Sequence, residues 1–221
     1  MFDKRINIFA GHYGSGKSEI AVNAAVVIKQ HNENVLMADM DIVNPFFRSV
    51  DARNMLEGLG IKVVAPLFAN TNVDVPALVP EISVALRNPY RSVILDVGGD
   101  EDGARVLGRY HNDILEGDYD MFFVINRARP MTTSLDETIQ YMEAIQCASR
   151  LKITRLINNT HFLDQTSADD IKYGLELVHQ VSEKTGVPIA STCIMDNLEG
   201  TFEGIIDTPL FRISKNILLP F

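Results

Sequence analysis

The sequence predicts an α/β fold: a three-layer sandwich with helices on both faces of a mainly parallel sheet. Three observations predict it. Short apolar stretches of strand length alternate with longer stretches of helical spacing along nearly the whole chain, the order that builds parallel sheets through crossover helices. Gly11-His12-Tyr13-Gly14-Ser15-Gly16-Lys17-Ser18 follows the first of these strands and matches G-x-x-x-x-G-K-[ST] without a mismatch. Two further apolar strands end in acids, Asp39 and Asp96, where open α/β sheets place their chemistry.

Taken in order, residues 5–10 read as a short buried strand, and residues 19–29 as a helix beginning near Gly16. Asn34 to Asp39 is a second strand, followed by a loop through Asp41 and Asn44 that Pro45 breaks. Residues 61–64 form a third strand. The Pro-, Asn- and Asp-rich stretch from Ala65 to Pro80 reads as a surface excursion, with a helix over 79–86. Arg91 to Asp96 is a strong strand leading into Val97-Gly98-Gly99-Asp100-Glu101-Asp102. After the strand 119–126, Ser134-x-x-Glu137 is a capping signal for a helix running to about Ser149. Met142, Ile145 and Cys147 are expected in its packing. The strand 153–161 ends in amides, a helix runs from about Thr166 to Thr185, and Gly186 stops it. Residues 187–192 read as the last strand. The stretch 195–221 reads as loop-rich, with short helical possibilities.

Composition bounds the function. A chain of 221 residues, 46% hydrophobic and 22% charged, is expected to form a single domain over 1–221. A net charge of −9 argues against a nucleic-acid-binding face, which would be basic. Cys147 and Cys193 are far apart and form no C-x-x-C pair, so neither a disulfide framework nor a zinc knuckle is expected. No apolar run reaches the length of a membrane span, and with Asp3, Lys4 and Arg5 leading straight into the first strand no signal peptide is expected. The expectation is a soluble cytoplasmic protein.

The chemistry of the candidate site follows from residue types. Backbone amides of a Gly-rich loop turn inward around phosphate oxygens. Lys17 supplies a point charge to the β- and γ-phosphates, and the Ser18 hydroxyl is placed to ligate Mg²⁺. A helix starting at Gly16 adds the positive end of its dipole. Asp39 and Asp41 either hold Mg²⁺-bound water and orient an attacking water, or end a strand and solvate a loop. Asp96, closing an apolar strand, has the Walker B arrangement, and Gly98 and Gly99 let the backbone approach a γ-phosphate. Asp100, Glu101 and Asp102 face either solvent or a partner. Asn158 offers both donor and acceptor to a purine; a turn favouring Asn is the other reading of that position. His12, His111 and His161 lack metal-ligand spacing.

With these motifs in place, the chain resembles the MinD/ParA/CobQ/CobB-type nucleotide-binding domains of the P-loop NTPases, the SIMIBI class. The resemblance rests on Gly11 to Ser18, Asp39-Met40-Asp41-x-x-Asn44, Leu95 to Gly99 and the strand ending in Asn158. It implies ATP and Mg²⁺ as ligands. Gly11, His12, Tyr13, Gly14, Ser15, Gly16, Lys17 and Ser18 would bind phosphate, while Ser18, Asp39 and Asp96 would hold the metal. Lys17 and Asp41 would be catalytic, Asp41 orienting the hydrolytic water, and Asn158 or Asn159 would read adenine. Residues 39–48 and 96–105 correspond to the two switch segments. Where relatives carry a second lysine that reaches across an ATP-sandwich dimer, this chain has His12, which puts nucleotide-gated dimerisation in question.

The resemblance also prunes. No cysteine pair could share an iron–sulfur cluster, and residues 213–221 read as a docked segment rather than a basic membrane-targeting helix. The expected function is a slow ATPase acting as a nucleotide-driven switch, on a homodimer or a protein client, in the maturation or activation of a partner enzyme. The alternative is an ATP-dependent small-molecule synthetase or kinase like the dethiobiotin synthetase and cobyrinate amidase relatives, with the loop from Ala65 to Pro80, Arg127 and Arg129 building an acceptor site.

Overall fold

A computed structural model describes residues 1–41, 52–64, 80–162, 165–198 and 206–217. The expected Pro45 break and the excursion 65–79 lie outside the described residues. Eight strands form one sheet: β1 (Ile6–Ala10), β2 (Val35–Asp39), β3 (Lys62–Val64), β4 (Ser92–Asp96), β5 (Tyr119–Ile125), β6 (Arg155–Asn158), β7 (Ile189–Met195) and β8 (Leu210–Ile213). Their order across the sheet is β3-β2-β4-β1-β5-β6-β7-β8, and every pairing is parallel. The helices are α1 (Lys17–Lys29), α2 (Arg53–Gly58), α3 (Pro80–Arg87), α4 (Glu101–Leu107), α5 (His111–Leu115), α6 (Leu135–Ser149) and α7 (Ala168–Thr185). The α/β P-loop NTPase-like sandwich expected from the sequence is the fold observed.

Strand residues alternate between two cores, as period-2 geometry requires. Ile6, Ile8 and Ala10 of β1 pack with Leu86, Leu107, Met142 and Val178 on one face. Phe9 points to the other, against Ile20, Ala24 and Ile28 of α1. There Phe9 stacks on Phe122 at 5.1 Å, and Phe2 meets both edge-on. Strands covered on both faces lose the apolar–polar alternation of a half-exposed sheet, which is why β1, β2 and β4 read as continuous apolar runs.

Helix ends follow their capping residues. Ser134 accepts the Glu137 amide at the start of α6, as the sequence predicts. Ser167 and Asp170 form a reciprocal capping box for α7, and Gly186 closes that helix at φ 73°.

Two expectations are corrected. The last strand is not 187–192: β7 continues to Met195, and β8 pairs beside it with Thr192 opposite Leu210. Only four residues long and buried at alternate positions, β8 is too brief to show a period. Cys147, expected in the packing of α6, is exposed, whereas Met142 and Ile145 are buried.

Candidate functional site

The sheet order reverses around β1, which lies between β4 and β5. At such a point the loops leaving the strand ends splay apart and open a crevice. The loop 11–16 leaves β1 there, and Asp39 and Asp96 close β2 and β4 as register partners. Asp39 Oδ1 accepts the Asp41 amide at 2.9 Å, so one acid fixes the backbone of the other.

The loop turns tightly. The Ser15 amide donates to the His12 carbonyl, and the Ile20 amide to Gly16. Gly16 sits at φ 86°, and a Cβ there would stand 2.3 Å from Asn159 Nδ2. Only glycine meets both demands. Asn159 Nδ2 donates in turn to the Ser15 carbonyl at 2.7 Å, tying β6 to the loop. On the opposite side Gly99 presses on the loop, since a Cβ on it would lie 2.7 Å from the Tyr13 amide nitrogen. Its carbonyl accepts from the Tyr141 hydroxyl at 2.7 Å.

A cavity of about 390 Å³ opens beside the loop, within the range of small-ligand sites. Its phosphate-loop end is lined by Tyr13, Gly14, Gly16, Lys17, Ser18 and Asp41. The other end is lined by Asn159, His161 and Thr166, and by the apolar Ile171, Ile194, Leu198, Ile213 and Ile217. Gly11, His12 and Ser15 are part of the loop without lining the cavity. His12 places Nδ1 2.9 Å from the Tyr13 carbonyl and packs edge-on against Tyr141. Asn158 is fully buried, donating to the Ile171 carbonyl and accepting the Thr160 amide. Of the two asparagines, Asn159 faces the cavity.

Asp96 is the most demanding residue of the site. It is fully buried, and neither carboxylate oxygen has a hydrogen bond of normal geometry. Burial pushes its pKa up to about 6; Lys17 and the Ser18 hydroxyl pull it down, and Asp41 pushes it up. A buried carboxylate with open oxygens beside a lysine and a hydroxyl suits a hydrated divalent cation. The donor set Ser18, Asp39 and Asp96 therefore fits Mg²⁺ completed by phosphate oxygens and water. Among the described residues no group of three His, Cys, Asp or Glu forms a metal site by itself, as expected where phosphates and water supply most ligands.

Several neighbours were not singled out from sequence. His161 is held well below the ordinary range, at about 4, by burial and by Arg129. The segment 214–217 straps across the first turns of α1. Asn23 exchanges hydrogen bonds with both the amide and carbonyl of Ser214, while Glu19 accepts the Asn216 and Ile217 amides. The sequence reads 213–221 as a docked segment, and these contacts show where residues 214–217 of it dock. Of the two arginines considered for an acceptor site, Arg129 lines the cavity. Arg127 instead lies over the Tyr173 ring and bonds the Tyr173 carbonyl and Glu176. Asp100 caps α4, and Asp102 pairs with Arg105.

Comparison with solved structures agrees with this fold. No protein-family model matches the chain, and no curated protein matches it. Among solved structures it is similar to the cell division protein FtsY of Thermotoga maritima, with TM-score 0.56 and 20% identity over 86% of this chain and 61% of that one. FtsY of Mycoplasma mycoides gives 0.53 and 21%, over 84% and 59%. The signal recognition particle receptor FtsY of Elizabethkingia anophelis, in complex with GDP, gives 0.52 and 16%, over 88% and 58%. The chain spans about three fifths of their length. The fold is thus shared with these FtsY structures. Among the described residues no helix is long and apolar enough to cross a membrane.

Proposed function

We propose that this chain is a Mg²⁺-dependent ATP-binding protein of the MinD/ParA type. In this reading it cleaves ATP slowly, and its two acid-bearing loops switch state with the nucleotide for a partner protein to read. The observation that carries the reading is Asp96, a fully buried carboxylate with unpartnered oxygens beside Lys17 and Ser18. Ser18, Asp39 and Asp96 would hold Mg²⁺, which when bound neutralises phosphate charge. Lys17 binds the phosphates, and Asp41 orients the attacking water. Gly98 lies close to both Asp41 and Gly103, so movement of either glycine is felt by the acid.

Adenine over guanine is supported by the described acids of the cavity. Guanine presents N–H donors at N1 and N2 that a carboxylate would accept. The described acids lining the cavity are Glu19 and Asp41. Glu19 already accepts two backbone amides, and Asp41 sits at the phosphate end.

The test is calorimetric titration with ATP, ADP and GTP, with Mg²⁺ or EDTA, alongside steady-state phosphate release. Mg²⁺-dependent ATP binding with slow release is expected, and absence of binding by any nucleotide sinks the proposal. Tighter GTP binding would replace the adenine assignment. Asp41→Asn is expected to keep ATP affinity within about threefold while release falls at least about tenfold; unchanged release would remove Asp41 from the mechanism.

A further inference from the structure

Arg129 is, with Lys215, a cation of this cavity that lies outside the loop motif. The turn that carries it is pinned. Its amide donates to the Asn126 carbonyl at 2.9 Å, and the Thr132 hydroxyl donates to the carbonyls of both Asn126 and Arg129. The side chain is half-buried and reaches the loop, where Nε donates to the Gly14 carbonyl at 3.2 Å. Its two terminal nitrogens have no hydrogen-bond acceptor among the described residues, and no described carboxylate lies within ion-pair distance. The chain holds 29 acids against 20 bases, so a half-buried guanidinium kept clear of the described ones is out of keeping with its surroundings. A guanidinium satisfied on one edge only is prepared to receive an oxyanion on the other.

Its neighbours point the same way. His161, beside it in the cavity, stays uncharged at neutral pH because burial and Arg129 itself disfavour its proton. It thus adds no second positive charge. His12 of the loop is turned onto Tyr13 and Tyr141.

We infer that Arg129 is a phosphate-binding residue of the nucleotide site: its terminal nitrogens grip a phosphate oxygen in cis, from the turn after β5. This rests on the proposed nucleotide site and extends it to a residue outside the loop.

The experiment is calorimetry of wild type, Arg129→Gln and Arg129→Lys with ATP, ADP, adenosine and inorganic tripolyphosphate, each with Mg²⁺, and thermal melting as a fold control. Arg129→Gln is expected to weaken ATP, ADP and tripolyphosphate by about 10- to 100-fold, the span of one charge-assisted hydrogen-bond pair. Adenosine should change by less than about twofold, and Arg129→Lys should fall between. Unchanged ATP and tripolyphosphate affinity in Arg129→Gln overturns the inference, as does an equal loss with adenosine. Tripolyphosphate separates the two readings. If wild type binds it through Arg129 but binds no nucleotide, the nucleotide proposal fails and the anion site stands. If wild type binds neither, both fail.

Discussion

At one end of the cavity, consecutive residues of the loop 11–18 curl between β1 and α1. At the other, Ile171, Ile194, Leu198, Ile213 and Ile217 arrive from α7, β7 and the turn after it, β8 and the strap. The first end is polar, short-range and set by glycine geometry. The second is apolar and exists only once distant strands have paired. Phosphate recognition can therefore be written in a few adjacent residues, because every nucleotide presents the same oxygens. Nucleoside recognition needs a shaped wall, and shape comes from tertiary structure.

Breaking the polar end should have the largest effect. Lys17→Ala is expected to weaken ATP and tripolyphosphate by at least about 100-fold, since it removes a buried charge from the phosphates. Adenosine binding should survive, and calorimetry of the three ligands checks the split. A comparable loss of adenosine would mean that the two ends are not separable. The apolar end should respond in mirror image. Ile194→Ala is expected to weaken ATP and adenosine alike by about 5- to 20-fold through lost apolar contact, leaving tripolyphosphate unchanged; a loss confined to the phosphate ligands would reverse the assignment.

The border between the ends is sensitive to acid. His161 titrates at about 4 in the fold against about 6.5 unfolded. Between those values the unfolded chain binds more protons, so stability rises with pH across that window and is lost as pH falls through it. At about 1.4 kcal/mol per unit this contributes at most about 3 kcal/mol. His161→Gln should flatten melting temperature against pH between about 4 and 6.5; an unaltered slope would show that the imidazole is not buried as described. The smallest effect belongs to a residue outside both ends. Cys147→Ser should shift stability by less than about 0.5 kcal/mol, with Cys147 labelled quickly by a thiol reagent in the wild type while buried Cys193, its thiol pushed up, resists.

The same division explains what was legible beforehand. The loop 11–18, the acids Asp39 and Asp96 closing their strands and the cap at Ser134 are local patterns, and the sheet they imply is the one observed. Asn158 and Asn159 were placed at the right strand end, yet which one turns to the cavity depends on β6 register and on the approach of α7. Cys147 misleads because it follows Ile145 by two residues, about 200° around a helix, and so emerges on the outer face. His161 carries no local signal, while Arg129 reads only as part of an acceptor site and the strap only as part of a docked segment over 213–221. Their roles come from burial and from partners up to 198 residues away.

The strap also sets an order of assembly. Asn23 and Ser214 are 191 residues apart, so at about 5–20 residues per second the ribosome needs about 10–40 s to supply the partner of α1. The phosphate loop is made early and the nucleoside wall late. A nascent or truncated chain lacking β8 and the strap would have the loop without the Ile213 and Ile217 part of its apolar wall, so under the proposed function full nucleotide affinity would need residue 217 to have been made.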